Sequence, residues 1–390
     1  MQPGRDKPLS FCWAAGGDWI DRLHLPPGKP KYELARIPIL LDAAIEAAGQ
    51  GRLVSYSRTR NFYTGMQRYH GPLYTYLNVT RAVDELASLG LIEHWKSRPN
   101  VDRGTQSRFR AAPSLIEAVT IQSASFTRRE PIVFKDDLKR LVDYQDTERT
   151  RRMRKEVARF NEALSSALLT IEAGQHSGPF VRFPCGSMVN MQKNTLHRVF
   201  SGAWDRGGRF YGPWFQNVPS ADRDAILIDG EATTEPDFAQ LHPTLFYALA
   251  GAEPDGDAYT VGDWPRPLAK VAFNVIINAT TYDSALGAVS EKIKERTGRH
   301  DRKASAALIA DMKQRHQRIA RWFHTGAGAR MQRIDSDLAA AVMRELLGQN
   351  IVALPIHDSF RVKKQHEQAA LEAMNRGMFE AKKQLHNAAF

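Results

Sequence analysis

Hydrophobic residues recur along the first part of the chain with the spacing of amphipathic helices. One run begins near Ile37 in IPILLDAAIEAAG, and a second lies in TRAVDELASL, where apolar residues three apart share a face. Asn78 is placed to cap this second helix, and Gly90 is placed to end it. Residues 1–30 are rich in Gly and Pro and predict an irregular arm.

After the second helix, the pattern changes to one typical of strands. LIEHWKS and SRFRAA each predict a strand, and the polar segment RPNVDRGTQ predicts the turn between them. A helix followed by a strand, a basic turn and a returning strand resembles the winged helix-turn-helix family over about 80 residues. The resemblance implies phosphate contacts through Arg81, Lys96, Arg98, Arg103, Arg108 and Arg110. A winged helix used only for protein contacts or dimerisation stays open as the alternative.

A long basic helix is predicted from Asp136 to about Glu172. It contains the segment ERTRRMRKEVAR, whose charges could grip the backbone of a nucleic-acid duplex. Charge runs of this kind also occur on solvated helices that form ion pairs four residues apart. Both interpretations stay open.

Two aspartates in the C-terminal half follow segments that predict strands. Asp358 follows the apolar run IVALPI, and Asp237 follows AILIDGEATTEP and precedes PTLFYALAG. Both could project from a rigid sheet into one cleft, where nucleotidyl transfer needs two divalent cations about 4 Å apart. Magnesium keeps several waters and takes few protein ligands, so two carboxylates can suffice. Asp229 is an alternative to Asp237 as the first of the two metal-binding aspartates, but the Asp-Gly pair favours a hairpin turn there.

A pair of cations could hold the phosphates of an incoming nucleotide. Arg266 and Lys270 are four residues apart, so a helix places both on one face. Pro267 suits the first turn of such a helix. This face could bind a triphosphate and stabilise the charge of a leaving pyrophosphate.

Charge and composition narrow the classes of function. The net charge of +11 and the pI near 9.6 are typical of proteins that neutralise a phosphate backbone. The local motifs GxxxxGK[ST], GxSxG, HExxH and paired CxxC are absent. Cys12 and Cys185 are isolated, which fits a reducing compartment. With no signal-peptide pattern and no apolar run of about 18 residues, we expect a cytoplasmic, nucleoid-associated protein without a membrane partner.

Five short segments resemble, in order, those of the family A DNA polymerases. The palm of that family begins with a Gly-Arg-apolar segment ending in Gln-Asn-Ile-Pro, and GRFYGPWFQNVP is similar to it. Its motif Asp-Tyr-Ser-Gln-Ile-Glu is matched by DFAQLH, which begins at Asp237. Its fingers helix carries Arg-x-x-x-Lys, as Arg266 and Lys270 do here. Its Met-Gln-x-x-x-x-Asp helix is matched by MQRIDSD, and its final His-Asp-Glu by HDS from His357.

The resemblance covers about residues 180–385 and implies a role for each matched residue. Asp237 and Asp358 would be catalytic and bind two Mg²⁺ ions, for which Mn²⁺ can substitute, with the Phe238 carbonyl as a further ligand. Arg266 and Lys270 would contact the triphosphate in the same catalytic centre. The nucleotide-binding residues would be Gln240, His242, Phe273, Asn274 and Asn278. The primer and template contacts would be Arg209, Gln332 and His357, joined by Arg81, Arg103 and Arg108 of the winged helix.

Departures from the family pattern bear on the choice of sugar. His242 replaces the Glu that helps exclude the ribose 2′-hydroxyl in the family, and Ser359 replaces the last Glu. Single-subunit RNA polymerases, which share this palm, also have His-Asp-Ser, and the GRFY segment is similar to theirs. Asn274 and Asn278 stand where the fingers helix has Phe and Tyr, although a one-residue slip would put Phe273 in the Phe position.

The expected fold is α+β. We expect a winged helix in residues 1–125, a basic helical thumb in 126–180, and in 181–390 a family A-like palm with an antiparallel sheet and short helical fingers at about 255–325. The expected function is DNA polymerase activity by a two-metal mechanism, with priming also open and without a proofreading exonuclease. The compact build suits a mobile element. A non-catalytic DNA-binding initiator or regulator and an RNA-synthesising polymerase are the two alternatives.

The expected partners follow from this function. They are a DNA primer-template, nucleoside triphosphates and, as a further candidate, a replicative helicase. An RNA template or primer stays open.

Overall fold

The computed structural model describes residues 6–14, 19–98, 102 and 105–387. The fold is mixed α+β, as predicted. The chain divides into two compact units. Unit 1 comprises Met1–Arg198 and Tyr211–Ala232, and unit 2 comprises Val199–Phe210 and Thr233–Phe390. The finer division into winged helix, thumb and palm stays a prediction.

Short strands and helices alternate in the first part of unit 1. The strands are β1 (Lys7–Pro8), β2 (Trp13–Ala14), β3 (Val54–Tyr56), β4 (Ile92–Trp95), β5 (Ser107–Ala111), β6 (Ser125–Phe126) and β7 (Ile132–Lys135). The helices are α1 (Trp19–Arg22), α2 (Pro30–Ala48), α3 (Gln67–His70), α4 (Tyr76–Ser88), α5 (Pro113–Ala118) and α6 (Glu148–Ser166).

The predicted strand pair is confirmed as the hairpin β4–β5, which follows α4 directly. It belongs to a four-stranded sheet with the order β1-β3-β5-β4, in which β3 and β5 are antiparallel. Helices α2 and α4 pack against each other, and α2 also packs against β5. Apolar residues from all these elements form one core that includes Ile39, Val83 and Phe109. Unit 1 therefore contains the order helix, strand, helix, helix, strand, strand.

Three predicted boundaries in unit 1 were wrong. Helix α2 begins at Pro30, because Pro suits the first helical turn, although its buried face starts only at Ala35. Residues before it are not simply irregular, since β1 pairs with β3. Helix α4 is capped by Thr75, whose hydroxyl accepts the Asn78 N–H at 3.2 Å, whereas Asn78 itself lies buried inside the helix.

The long basic helix is shorter than predicted. Helix α6 begins only after Thr147, which forms a capping box with Thr150. The preceding residues form a turn in which the Asp136 carboxylate accepts the Arg140 N–H at 2.8 Å. At the other end, the apolar residues after α6 form a strand, because they pair with a second strand rather than continue the helix. Arg152 pairs with Glu148 four residues before it, as the solvated-helix interpretation predicts.

The remaining strands up to residue 234 are β8 (Leu169–Ile171), β9 (Gln175–Ser177), β10 (Phe180–Arg182), β11 (Met188–Asn190), β12 (His197–Ser201), β13 (Ala203–Tyr211), β14 (Ile226–Ile228) and β15 (Glu231–Thr234). Strands β8 and β14 are antiparallel, and β14 forms a hairpin with the first residues of β15. Asp229 and Gly230 make its turn with φ of 53° and 76°, so the predicted Asp-Gly hairpin is confirmed.

Unit 2 is mainly helical around a small antiparallel sheet. Its helices are α7 (Leu241–Leu249), α8 (Arg266–Asn278), α9 (Tyr282–Thr297), α10 (Arg302–Arg315), α11 (Gly328–Gly348) and α12 (Glu367–His386). Its last strands are β16 (Leu354–Ile356) and β17 (Ser359–Lys363), which form a hairpin, and β17 also pairs with the end of β15. Helices α7, α11 and α12 pack together, as do α8, α9 and α10.

Short 3₁₀ turns lie in the connections of both units, at Arg60–Tyr63, Ile121–Ser123, Trp214–Asn217, Ser220–Ala225, Ala320–Trp322 and Lys364–His366. Within the described ranges, no helix combines the length and the apolar character needed to cross a membrane.

Candidate active site

The segment that carries Asp237 pairs with the hairpin that carries Asp358. The Phe238 N–H donates to the Asp358 carbonyl at 3.3 Å, and the Phe360 N–H donates to the Pro236 carbonyl at 3.0 Å. Asp237 lies opposite Ser359 in this pairing. Because paired backbones are about 5 Å apart, the two aspartates occupy neighbouring positions. Residues that are 121 positions apart in the chain are thus brought together, as the sequence predicted (358 − 237).

A buried ion pair fixes this pairing. Glu235 accepts the Ser359 hydroxyl at 2.7 Å and the Arg361 guanidinium at 2.8 Å. Arg361 is almost fully buried, so its charge needs this partner. The hydroxyl of Ser359 therefore serves to hold the segment that precedes Asp237.

The turn of the hairpin holds its residues in a conformation that is rare for side chains other than glycine. His357 has φ of 58°, in the left-handed region, and its side chain is exposed. The turn ends the buried strand β16 and places Asp358 at the edge of the sheet, where its side chain is half-buried. Strain of this kind is common where a site fixes the position of one residue.

The donor set at this edge fits magnesium. Asp237 and Asp358 form no ion pair with any residue that the structure describes, and Phe238 follows Asp237 directly in the paired segment. In the described part of the chain, no three His, Cys, Asp or Glu side chains gather in an arrangement that could hold a metal ion by themselves. Two carboxylates, a carbonyl and several waters are nevertheless a suitable set for Mg²⁺, which prefers oxygen and retains water.

Helix α8 presents one polar side. Arg266, Lys270, Asn274 and Asn278 are each four residues apart, and all are at least partly exposed. Phe273 is fully buried on the opposite side, where its ring contacts those of Phe246, Tyr259, His316 and Phe323. Phe273 therefore offers no surface to a nucleotide, and Asn274 is the residue that shares a side with the two cations.

Tyr259 lies under the two cations of this helix and is affected by the charge of Asp358, and the sequence did not indicate it. The Arg266 guanidinium lies 5.4 Å and the Lys270 ammonium 5.9 Å from the centre of its ring. Burial and the nearby charge of Asp358 raise the pKa of the Tyr259 hydroxyl to about 12. Arg266 is also paired with Asp257, whereas Lys270 has no ion-pair partner among the described residues.

Gln240 holds the loop that carries Tyr259. Its amide oxygen accepts the Ala258 N–H at 2.7 Å, and its amide nitrogen donates to the Gly256 carbonyl at 3.2 Å. Both ends of the amide are engaged, so Gln240 positions this loop rather than reaching a nucleotide. Its own backbone is left-handed, with φ of 49°, where α7 begins.

A buried histidine supports the same loop. The ring of His316 lies between the Ala258 carbonyl, 2.9 Å from Nε2, and the Tyr247 hydroxyl, 3.2 Å from Nδ1. The carbonyl can only accept, so Nε2 carries the proton and Nδ1 accepts the Tyr247 hydroxyl. Burial lowers the pKa of His316 to about 4, so the ring is neutral near pH 7.

Arg209 and His242 meet at a buried carboxylate from α11. The Arg209 Nε donates to Asp335 at 2.8 Å, and Arg209 Nη2 lies 3.2 Å from His242 Nε2. Asp335 is buried, and its Oδ2 is 3.7 Å from His242 Nε2. Gly208 permits this approach of β13 to α11, because a Cβ there would lie 2.8 Å from the Ser336 hydroxyl. His242 thus lies against the Arg209–Asp335 ion pair.

The structure places two further predicted residues, Gln332 and Asn278, on the helices α11 and α8. Gln332 lies half-buried on α11 together with the buried Met331, in the helix predicted for them. Asn278 closes α8 by donating its amide to the Asn274 carbonyl at 2.7 Å, and it packs against Gly328. Asp337, the last residue of the MQRIDSD segment, pairs with Arg333.

The cations predicted to bind nucleic acid in unit 1 are largely paired with acids. In β4, β5 and the turn between them, the ion pairs are Lys96–Asp84 at 2.9 Å, Arg98–Asp102 at 3.4 Å, Arg108–Asp6 at 3.5 Å and Arg110–Glu93 at 2.7 Å. Arg81 is exposed on α4 and rests on the Tyr32 ring. Arg103 lies outside the described residues.

Comparisons with known proteins add no relative. No protein-family model matches the chain, and no curated protein matches it significantly.

Sequence reasoning missed the residues that support the site. Glu235, Asp257 and Tyr259 lie in segments that it treated as connections. A weak signal existed for Glu235, because an acid two positions before Asp237 and Arg361 three positions after Asp358 would face each other in paired strands.

Proposed function

We propose that this protein is a template-directed nucleotidyltransferase that extends a primer 3′-hydroxyl with nucleoside triphosphates. The observation that carries the proposal is the pairing of the Asp237 segment with the Asp358 hairpin. Neither carboxylate has an ion-pair partner among the described residues, and the charge of Asp358 acts on Tyr259, whose ring the Arg266 and Lys270 cations contact. Carboxylates for metals beside cations for phosphates are what nucleotidyl transfer requires.

Each residue has one task in the proposed reaction. Asp237, Asp358 and the Phe238 carbonyl would hold two magnesium ions, which when bound activate the 3′-hydroxyl and neutralise charge on the phosphates. Lys270 and Arg266 bind the β- and γ-phosphates, and Arg266 exchanges Asp257 for the triphosphate. The bond from the 3′-oxygen to the α-phosphorus forms as the bond to the β-phosphate oxygen breaks. Pyrophosphate leaves, and the hydroxyl proton is released.

The Arg209, Asp335 and His242 group would form the floor beneath the sugar. In this arrangement no free carboxylate is present to exclude a ribose 2′-hydroxyl. Position 242 is a histidine, and the nearby carboxylate of Asp335 is paired with Arg209. This observation favours acceptance of ribonucleotides beside deoxyribonucleotides, and hence the RNA-synthesising alternative as a second candidate.

The N-terminal part of unit 1 is proposed to be a winged helix that binds the template. The order α2, β3, α3, α4, β4, β5, with β3 paired to β5, supports this proposal because it is the order of elements in winged helices. The exposed Arg81 on α4 is a candidate contact.

The test is extension of a labelled primer on a DNA template with magnesium. The Asp358→Asn variant keeps the size of the side chain and removes its charge, and we expect extension to fall at least about 10³-fold. Asp283→Asn, an exposed acid at the start of α9, is the matched control and should extend like the unchanged protein. Deoxy- and ribonucleotides are compared in parallel, and unprimed template tests priming.

Two results would decide against the proposal. Extension that survives in Asp358→Asn would remove the assigned chemistry. Absence of extension by the unchanged protein, with either sugar and with manganese tried, would favour a DNA-binding protein without catalytic activity.

A further inference from the structure

The basic residues of unit 1 differ in whether an acid neutralises them. Those of the β4–β5 hairpin are paired, as described above. Three others, Arg128, Lys135 and Lys139, have side chains that make no hydrogen bond or ion pair with a described residue. We call these three residues the unpaired basic cluster.

The three residues lie on one short stretch around β7. Arg128 precedes the strand, Lys135 is its last residue, and Lys139 lies in the tight turn that follows. The turn is fixed, because Lys135 forms a bridge with Leu141 and Lys139 has φ of 63°. The neighbouring segment is tied to this one by the Arg198 N–H, which donates to the Pro131 carbonyl at 2.8 Å, so that His197 lies beside β7.

The charges of the cluster act on one another. Burial lowers the pKa of Lys135, and the charges of Lys139 and Arg128 lower it further. Burial also lowers the pKa of Arg128. The pKa of His197 is well below its usual value, because of burial and because Arg128 and Lys135 repel a proton there. Among the described residues, no carboxylate contributes to any of these shifts.

One nitrogen of the cluster is an unsatisfied buried hydrogen-bond donor. The Nε of Arg128 is buried and has no hydrogen-bond acceptor among the described residues. A half-buried guanidinium beside a second cation is unfavourable unless an anion balances it. Proteins normally satisfy such groups, and the hairpin of the same unit shows that this chain can supply the acids. The missing counter-charge therefore points to a ligand.

We propose that the unpaired basic cluster of Arg128, Lys135 and Lys139 is a phosphate-binding site, and that its phosphates belong to the backbone of a bound nucleic acid. The identification of the ligand rests on the proposed function. Three separate cations along a strand and its turn suit a chain of phosphates, because a duplex carries one charge per about 1.7 Å of its axis. The β4–β5 hairpin, whose cations are neutralised, then contributes less to affinity than the cluster does.

The experiment measures binding of a fluorescent DNA duplex by anisotropy, without nucleotide or metal, at about 50–200 mM salt. The variant Arg128→Gln/Lys135→Gln removes two charges of the cluster. Arg98→Gln/Arg110→Gln removes two paired charges of the same unit and is the matched control. We expect at least tenfold weaker binding for the cluster variant, with a salt slope reduced by about 1.8, and less than about threefold weaker binding for the control.

A second variant guards against misfolding. Lys139 is exposed, so Lys139→Glu leaves the interior unchanged and should also weaken duplex binding, about threefold to tenfold. The melting temperature of each variant is measured, and removal of the mutually repelling Arg128 and Lys135 should leave it unchanged or raise it.

A parallel titration with inorganic phosphate and tripolyphosphate separates the two sources of phosphate. Loss of duplex binding in the cluster variants supports the proposal. Unchanged duplex binding with loss of the small anions overturns the nucleic-acid assignment. Equal losses in cluster and control variants, or none in either, overturn the site. Duplex binding that depends on the cluster in a protein that cannot extend primers would overturn the proposed function and leave the site in place.

Discussion

The α8 side of unit 2 and the β4–β5 hairpin of unit 1 were both recognised by their basic residues, yet the structure treats their charges differently. In unit 2, Lys270 has no acidic partner among the described residues and lies over an aromatic ring near Asp358. In unit 1, Arg110 is held by Glu93 through two hydrogen bonds, and Lys96 is held by Asp84. The net charge of the chain does not distinguish these paired basic residues from the unpaired one.

The difference concerns which charges are available to a ligand. An exposed ion pair is weak, worth about 0–1 kcal/mol, so it can exchange partners, but it lowers the gain from binding a phosphate. An unpaired cation gives up no ion pair when it binds a phosphate. Availability therefore depends on acids that come from other strands and helices, which a count of Lys and Arg along the chain does not show.

The largest effect after loss of the aspartates should come from Lys270. Lys270→Gln removes an unpaired cation from the proposed triphosphate contact, so kcat/KM for nucleotides should fall roughly 10- to 150-fold, the equivalent of about 1.5–3 kcal/mol for a charge-assisted hydrogen bond. Steady-state extension measures this. Lys294→Gln on α9 is the control, since that ammonium is exposed and 3.8 Å from Glu291. Equal values for both variants would place the triphosphate elsewhere.

A smaller effect, on the free energy of unfolding, is expected when the pH is lowered. The pKa of His316 is about 4 when folded and about 6.5 when unfolded, so the unfolded chain binds more protons between these values and stability falls as pH falls. At pH 5 this residue should account for a loss of about 2 kcal/mol in the free energy of unfolding relative to pH 7.5.

The comparison that isolates this contribution is between the unchanged protein and His316→Gln, unfolded by urea at both pH values. Gln can still donate to the Ala258 carbonyl but does not titrate, so its pH dependence should be weaker by that amount. Identical pH dependence in the two proteins would show that His316 is not held neutral.

The smallest effect should be a gain of function in the hairpin. Glu93→Gln releases Arg110 from its carboxylate, and duplex affinity at low salt should rise about twofold to fivefold, the equivalent of roughly 0.4–1 kcal/mol. Glu117→Gln, an exposed acid on α5, removes the same charge without freeing a described arginine. A rise in affinity that is the same in both variants would mean that total charge, not pairing, controls binding.

Much of the candidate site was predictable because its residues belong to regular elements. The spacing of Arg266 and Lys270 requires only a helix, and α8 provides it. The apolar run before Asp358 predicted a strand that turns outward, and β16 ends there. Phe273 and Gln240 were assigned to nucleotide binding by alignment alone. Their positions depended on packing, since one is buried among rings and the other is bonded to a loop.

Element boundaries failed where local and distant interactions compete. The segment after Asp136 has helical periodicity, but hydrogen bonds from Asp136 and the capping box at Thr147 delay the helix. Arg68, far away in the sequence, further holds the connection by pairing with Asp143 and Asp146. Such pairings override weak propensity and are absent from any local window.

The sequence by itself determined the helical face of Arg266 and Lys270, the hairpin turns at Asp229 and His357, and the basic character of the whole chain, because spacing, turn chemistry and charge are local or additive properties. Only the tertiary structure decided which charges stay free, which aromatic ring joins the cations to Asp358, and which carboxylate holds Arg209 and His242. Those outcomes depend on pairs of residues up to 126 positions apart, whose contacts arise only when apolar faces pack and exclude water.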